Sequence, residues 1–256
     1  LREKNFQISL MDYDQTAMDQ VADSPEVVKY ARNGSELKHL QEAEVENLDW
    51  TIAVTGDDET NMLIAFWAKR LGCRRTVARV RKPEYAGQAT YVKSAMEIDL
   101  FVNPEQAVAA KIHQFLVDRE ARRIVVVGGG RTGYYLSESL MEMGLTVSLI
   151  EIDRDRCKYL VKHLEKVLVL NADGTDFSLI KEENIFESDA LVAVTSHDEE
   201  NLILSLLAKQ SGVPIVILKI SRDHYIPITE KLGLDLALNP VTISAQRIVE
   251  FISSHV

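Results

Sequence analysis

The stretch from Arg122 to Glu151, RRIVVVGGGRTGYYLSESLMEMGLTVSLIE, leaves a chain few ways to fold. Ile124 to Val127 is a short, continuous apolar run that stops at glycine, the pattern of a buried parallel strand. Gly128, Gly130 and Gly133 follow in G-x-G-x-x-G spacing, and a helical pattern then runs to Gly144. A second apolar run, Val147 to Ile150, ends on the carboxylate of Glu151, roughly 20 residues beyond the glycines. Strand, turn, helix and strand closed by an acid describe a parallel βαβ unit with a phosphate-binding turn.

Each residue of that turn has a physical task. Gly128 permits the tight exit from the strand, Gly130 lets a pyrophosphate approach the backbone, and Gly133 lets helix pack on strand. The first helical turn, with Arg131 and Thr132, offers unpaired N–H groups and the positive end of the helix dipole. Arg131 adds a fixed positive charge. Glu151 can accept hydrogen bonds from a ribose 2′-hydroxyl and would repel a 2′-phosphate, which favours NAD over NADP.

The rest of the chain repeats this unit. Ile8–Asp14 (ISLMDYD) matches Val147–Asp153 (VSLIEID), which places Asp12 over Glu151. Thr51–Asn61 (TIAVTGDDETN) matches Leu191–Asn201 (LVAVTSHDEEN), and Val102–Ile112 matches Leu238–Ile248. A period this long means two copies of one domain rather than a solenoid. In the first copy the expected strands are Gln7–Met11, Val27–Ala31, Trp50–Thr55, Thr76–Val80 and Leu100–Val102. The expected helices are Gln15–Ala22, Glu36–Val45, a run from Asp57 to Leu71, Gly87–Ala95, and one from Pro104 to Leu116. Strands alternate with helices throughout, so the expected fold class is α/β, two tandem Rossmann-like domains with doubly wound parallel sheets. The division by repeat is 1–117 and 118–256. The first copy begins in mid-unit: Leu1–Phe6 resembles the end of a first helix, and no strand and glycine loop stand ahead of it in this sequence.

Composition narrows the partners. The net charge of −10, from 29 basic and 39 acidic residues, argues against a general nucleic-acid binder. No apolar run approaches the length of a membrane span. The histidines and the two cysteines, Cys73 and Cys157, stand in no metal-ligand spacing, and thiols in a reducing compartment are expected. No nucleophile–base set stands in a catalytic motif, so no catalytic residue is assigned.

Further candidates lie where expected strands end, the edge at which open α/β sheets bind ligands. In the second copy they are Asp173, which could accept from an adenine amino group, Thr195 near the middle of a dinucleotide, and Lys219 or Arg222 near phosphate. Thr195, Ser196 and Asp198 also read as helix-capping residues. The first-copy counterparts are Asp12, Asn33, Thr55 and Arg79.

The ordered set GGGRTG (128–133), IEID (150–153), DGT (173–175), AVTSHDEEN (193–201) and LILSLLAK (202–209) resembles the RCK or KTN domain, as do AVTGDDETN (53–61) and ARVRKPEY (78–85). The resemblance implies a regulatory subunit, not an enzyme, that binds NAD(H) and/or ATP/ADP. It places nucleotide contacts at Gly128, Gly130, Arg131, Gly133, Glu151 and Asp12. It implies as partner a membrane-embedded potassium transporter subunit (TrkH/TrkG-like), a homo-oligomeric state (dimer or tetramer ring), and a cytoplasmic location peripheral to the inner face of the membrane. The helices after Asn103-Pro104 and Asn239-Pro240 resemble that family's crossover helices, while its small C-terminal subdomains are not visible here. The alternatives are a fragment of an NAD-dependent oxidoreductase and a dimerisation scaffold that senses nothing.

Overall fold

The structure, a computed structural model, describes residues 6–176 and 184–255. They form two compact units, one of residues up to Asn103 together with those from Arg247 onward, the other Pro104–Gln246.

The second unit opens with α6 (Pro104–Val117) and continues β6 (Arg123–Val127), α7 (Arg131–Glu142), β7 (Thr146–Glu151), α8 (Arg154–His163) and β8 (Leu168–Asn171). Then come β9 (Ala190–Ala193), α9 (Asp198–Gln210), β10 (Ile215–Lys219), α10 (Ile226–Lys231), β11 (Leu236–Leu238) and α11 (Pro240–Ser253), which runs on into the first unit. All strands are parallel, in the order β11-β10-β9-β6-β7-β8. Counted from β6, this is the doubly wound order, and its switch point lies between β6 and β9. There Val127 pairs with Ile150 on one side and Ala193 on the other.

Both faces of this sheet are covered, which is why its strands read as unbroken apolar runs. Ile124 and Val126 face a cluster with Leu116 of α6 and Leu136 and Leu140 of α7. Val125 and Val127 alternate to the opposite face, against Leu204 and Ala208 of α9. Each such fully buried aliphatic side chain stabilises the fold by about 1.5–3 kcal/mol.

The first unit contains β1 (Ile8–Asp12), α1 (Gln15–Gln20), β2 (Val27–Ala31), α2 (Leu37–Glu42), β3 (Trp50–Ala53), α3 (Asp58–Leu71), β4 (Arg75–Arg79), α4 (Pro83–Ala86), α5 (Ala89–Ala95) and β5 (Leu100–Val102). Its described strands form two sheets, β1-β2 and β3-β4-β5, not one. The repeat explains the split. β1 and β2 match β7 and β8, and β3 to β5 match β9 to β11. Nothing among the described residues occupies the place that β6 holds between β7 and β9.

Local chemistry moves several element ends from their expected places. Asp14 caps α1 by accepting from Thr16 N–H and Ala17 N–H, and the helix closes at Gln20. The strand expected over Trp50–Thr55 stops at Ala53, because Thr55 turns its N–H to the Asn61 side chain. The helix expected over Glu36–Val45 ends at Glu42 and passes into a 3₁₀ turn, Val45–Asn47. The repeat divides the chain at 117/118, whereas the compact units divide at 103/104 and 246/247. Packing accounts for the difference. Val108, Ile112 and Leu116 of α6 are buried in the core of the second unit, while Phe251 of α11 stands edge-on to Trp50 at 5.6 Å. The helix end expected at Leu1–Phe6 lies, but for Phe6, outside the described residues.

Candidate functional site

A cavity of about 450 Å³ opens at the carboxyl ends of β6, β7, β9 and β10, on the switch point of the second unit. Gly128, Gly130, Arg131, Thr132, Glu151, Asp173, Thr195 and Lys219 all line it. Gly133 does not, because it lies under the loop.

The glycines divide the work as the spacing implies. Gly128 has φ +105°, and a Cβ there would stand 2.8 Å from Thr195 N and 2.9 Å from the Val194 carbonyl carbon, so β6 exits hard against the end of β9. A Cβ on Gly133 would stand 2.0 Å from Gly128 O, which fixes the close seating of α7 on β6. A Cβ on Gly130 would meet nothing within 4 Å and would project into open space. Gly130 is also the N-cap of α7, and having no side chain it accepts from none of the first-turn N–H groups. The backbone at Gly130 is therefore open to approach from the cavity.

Charge is distributed along the cavity. Glu151 uses Oε2 to accept from Gly129 N–H at 2.8 Å and Oε1 to accept from Asp153 N–H at 2.8 Å, which leaves lone pairs for a diol. Asp173 accepts from both the hydroxyl (2.7 Å) and the N–H (2.8 Å) of Thr175, and these bonds hold its carboxyl below the usual carboxylate range. Lys219 closes the far end. Burial pushes its ammonium down from the ordinary lysine value, partly opposed by Asp198 and Glu105. Among the described residues its Nζ meets no hydrogen-bond or ion-pair partner. Arg131 Nη1 lies 3.9 Å from Glu105 Oε1, and the second oxygen of Glu105 is buried without a hydrogen-bond partner among the described residues. Arg222 does not line the cavity and pairs instead with Glu199 at 2.7 Å.

Several side chains take roles that the sequence patterns do not display. Asn201, fully buried, accepts from Thr195 N–H (3.0 Å) and donates to the Lys219 carbonyl (3.0 Å), tying the ends of β9 and β10 together. Asn61 repeats this in the first unit with Thr55 and Arg79. The signal was the last letter of each AVTxxDExN motif. Asp198 does not cap α9, since His197 is the N-cap. Its carboxylate accepts from Ser221 N–H and Arg222 N–H and so holds the loop after β10. Gly129 and Glu105 also shape the site, and neither carries a sequence signature.

In the first unit Asp12, Asn33 and Thr55 line a larger cavity of about 730 Å³ running between β1 and β3. Arg79 is not among its lining residues, and its Nη2 donates to the Thr55 carbonyl at 2.7 Å. Asn33 makes with Ser35 the same turn that Asp173 makes with Thr175.

Among the described residues no helix is long and apolar enough to cross a membrane, and no group of His, Cys, Asp or Glu is placed to hold a metal ion. Comparison with known proteins matches the TrkA-N domain to residues 1–104 and 124–240. The chain is similar to a Trk system potassium uptake protein TrkA homolog of Archaeoglobus fulgidus, with 25% identity covering 94% of this chain and 74% of that protein. The TrkA protein of Vibrio alginolyticus is 24% identical, covering 94% and 73%. Among solved structures, GsuK bound to ADP superposes over 100% of this chain with a TM-score of 0.82 at 13% identity, and the GsuK channel bound to NAD over 99% with a TM-score of 0.82 at 10% identity. This chain spans 65% and 60% of those chains, and the likeness is one of fold.

Proposed function

The chain belongs to the TrkA-N domain family, and from that premise we propose that it is a nucleotide-binding regulatory subunit of a membrane potassium transporter. The observation that carries the reading is the loop at Gly130. An uncapped helix start, an open approach to the backbone and the cation of Arg131 stand at one end of a cavity whose side wall offers Glu151 as an acceptor.

These residues fit an adenine dinucleotide or an adenosine phosphate. The N–H groups of the first turn of α7 and Arg131 would hold phosphate, and Glu151 would hold ribose. Asp173, which lines the same cavity, would accept from an adenine amino group. Thr195 lines the middle of the cavity, with its own hydroxyl turned to Asn201 at 2.8 Å. Lys219 supplies a second cation for a longer polyphosphate or a pyrophosphate. NAD(H) and ATP/ADP both satisfy this arrangement. In the first unit Asp12, Asn33, Thr55 and Arg79 are the corresponding candidates.

The cations and first-turn N–H groups that line the cavity serve binding. Regulation then follows from differential affinity. A nucleotide that binds two arrangements of the protein unequally shifts the population between them, and the transporter responds to the favoured arrangement. The relatives fit this reading, since the Trk system proteins serve potassium uptake and the GsuK structures hold ADP or NAD. A homo-oligomeric ring at the cytoplasmic face of the membrane is the assembly this function calls for. The test is potassium flux through the co-expressed transporter in vesicles, with and without NADH, ADP or ATP. Nucleotide-dependent flux that Arg131→Ala abolishes supports the proposal. Flux indifferent to every nucleotide refutes it.

A further inference from the structure

The glycine loop is held from behind by a residue that does not line the cavity. Arg156, on the first turn of α8, donates from Nε to the Gly129 carbonyl at 2.6 Å, and its Nη2 lies 3.5 Å from the Gly130 carbonyl. The guanidinium is itself fixed, 4.6 Å from the ring centre of Tyr159 and 5.9 Å from that of Tyr134. The start of α8 is fixed in turn by Asp153, which accepts from Asp155 N–H and Arg156 N–H. Gly129 is thus gripped at both ends, its N–H by Glu151 and its carbonyl by Arg156. A Cβ there would stand 2.5 Å from Leu160 Cδ1 and 3.1 Å from Glu151 Cβ, so any side chain would have to displace its neighbours.

We propose that Arg156 is a positioning residue for phosphate, acting through the loop. A peptide group is planar and trans, so its C=O and N–H point in opposite directions. Anchoring the Gly129 carbonyl on Arg156 aims the Gly130 N–H away from Arg156. The weaker contact to the Gly130 carbonyl, which also accepts the Tyr134 N–H of the helix, does the same for the N–H of Arg131. Both donors are set before a ligand arrives, so binding need not pay to order them. The guanidinium adds positive potential behind the loop without occupying ligand space. The first unit has no counterpart, for Ala17 stands at the matching offset from Asp12.

This inference rests on nucleotide binding in the second unit, and the test separates the two. Calorimetry on the full chain and on Arg156→Gln and Arg156→Lys would use ADP, NADH and phosphate-free adenosine. Arg156→Gln should weaken ADP and NADH at least tenfold and leave adenosine unchanged, with Arg156→Lys intermediate because one donor is restored without the flat fork. Amide exchange of ligand-free Arg156→Gln should quicken at 129–132 and not along α8. An unmodified chain that binds none of the ligands defeats the nucleotide reading itself. An unmodified chain that binds ADP, with Arg156→Gln binding it equally well or losing adenosine in the same proportion, overturns the positioning role alone. If Arg156→Gln fails to fold, Arg156→Lys decides, and equal ADP affinity with unchanged exchange at 129–132 overturns the role.

Discussion

Alanine at Gly130 and alanine at Gly133 should fail in opposite ways, although the two glycines are three positions apart in one motif. At Gly133 the new methyl would stand 2.0 Å from Gly128 O and 3.1 Å from Gly128 C, both backbone atoms that no rotamer change can move. An ordinary contact between such atoms needs about 3.3 Å, so α7 must part from β6 by roughly 1 Å. That separation loosens Leu136 and Leu140, both fully buried. Overpacking of this kind costs about 1–3 kcal/mol or more. For a domain of this size each kcal/mol lowers Tm by about 2–4 °C, so a fall of roughly 5–10 °C is expected. At Gly130 the methyl meets no atom within 4 Å, and φ is −62°, a value alanine adopts freely. The weaker N-cap and the lower unfolded-state entropy roughly cancel, and the change in stability should stay within about 0.5 kcal/mol. The methyl would, however, occupy the approach of a phosphate. Calorimetry and thermal melts of the two variants form the assay. Gly130→Ala should keep its Tm and lose at least tenfold in ADP affinity. Unaltered ADP affinity in Gly130→Ala, or an unaltered Tm in Gly133→Ala, would refute the reasoning at that position.

Lys219→Met should raise Tm at neutral pH and weaken ADP and NADH, because it removes a cation that burial disfavours but a ligand needs. Since burial lowers the folded-state pKa of Lys219, the unfolded chain binds more protons between that value and the ordinary 10.5, and its contribution to stability rises with pH across that window; Lys219→Met should flatten this part of a Tm-versus-pH curve. Burial alone would raise the carboxyl of Asp99, but Lys69 (2.9 Å), Thr76 N–H (2.8 Å) and Arg75 (3.2 Å) bring it below its usual value. Its contribution is complete above the unfolded value of 3.8 and is lost as pH falls through the lower folded value, so Asp99→Asn should cost about 2 kcal/mol in denaturant melts at pH 7 and progressively less below pH 4. Asn201→Ala should cost about 2 kcal/mol, since it empties a fully buried site and leaves the part-buried Thr195 N–H and Lys219 carbonyl without their partner, and a loss under about 0.5 kcal/mol would contradict that accounting.

The strand–glycine–helix–strand unit was legible because each of its constraints is local. A tight turn, a close approach and a close packing each demand glycine at a fixed offset, and a buried parallel strand demands an apolar run. The matched halves likewise gave the order of elements and the ends of strands at which Asp173, Thr195 and Lys219 meet the loop. What was not legible depends on partners distant in sequence. Arg156 reads as one more charge on a surface helix until its guanidinium is seen on the Gly129 carbonyl. Glu105 reads as a helix-start acid until it stands beside Arg131. The repeat located the halves but not the compact units, because a helix can follow one half in sequence and bury its apolar face in the other, as α6 does.

The cavity above Gly128–Gly133 should take a nucleotide by its phosphates. Isothermal titration of the unmodified chain with ADP and NADH tests it most directly, run beside Arg131→Ala. Saturable binding of at least one of the two ligands is expected, weakened tenfold or more by the loss of Arg131. Absence of binding, or binding that Arg131→Ala leaves untouched, would contradict it.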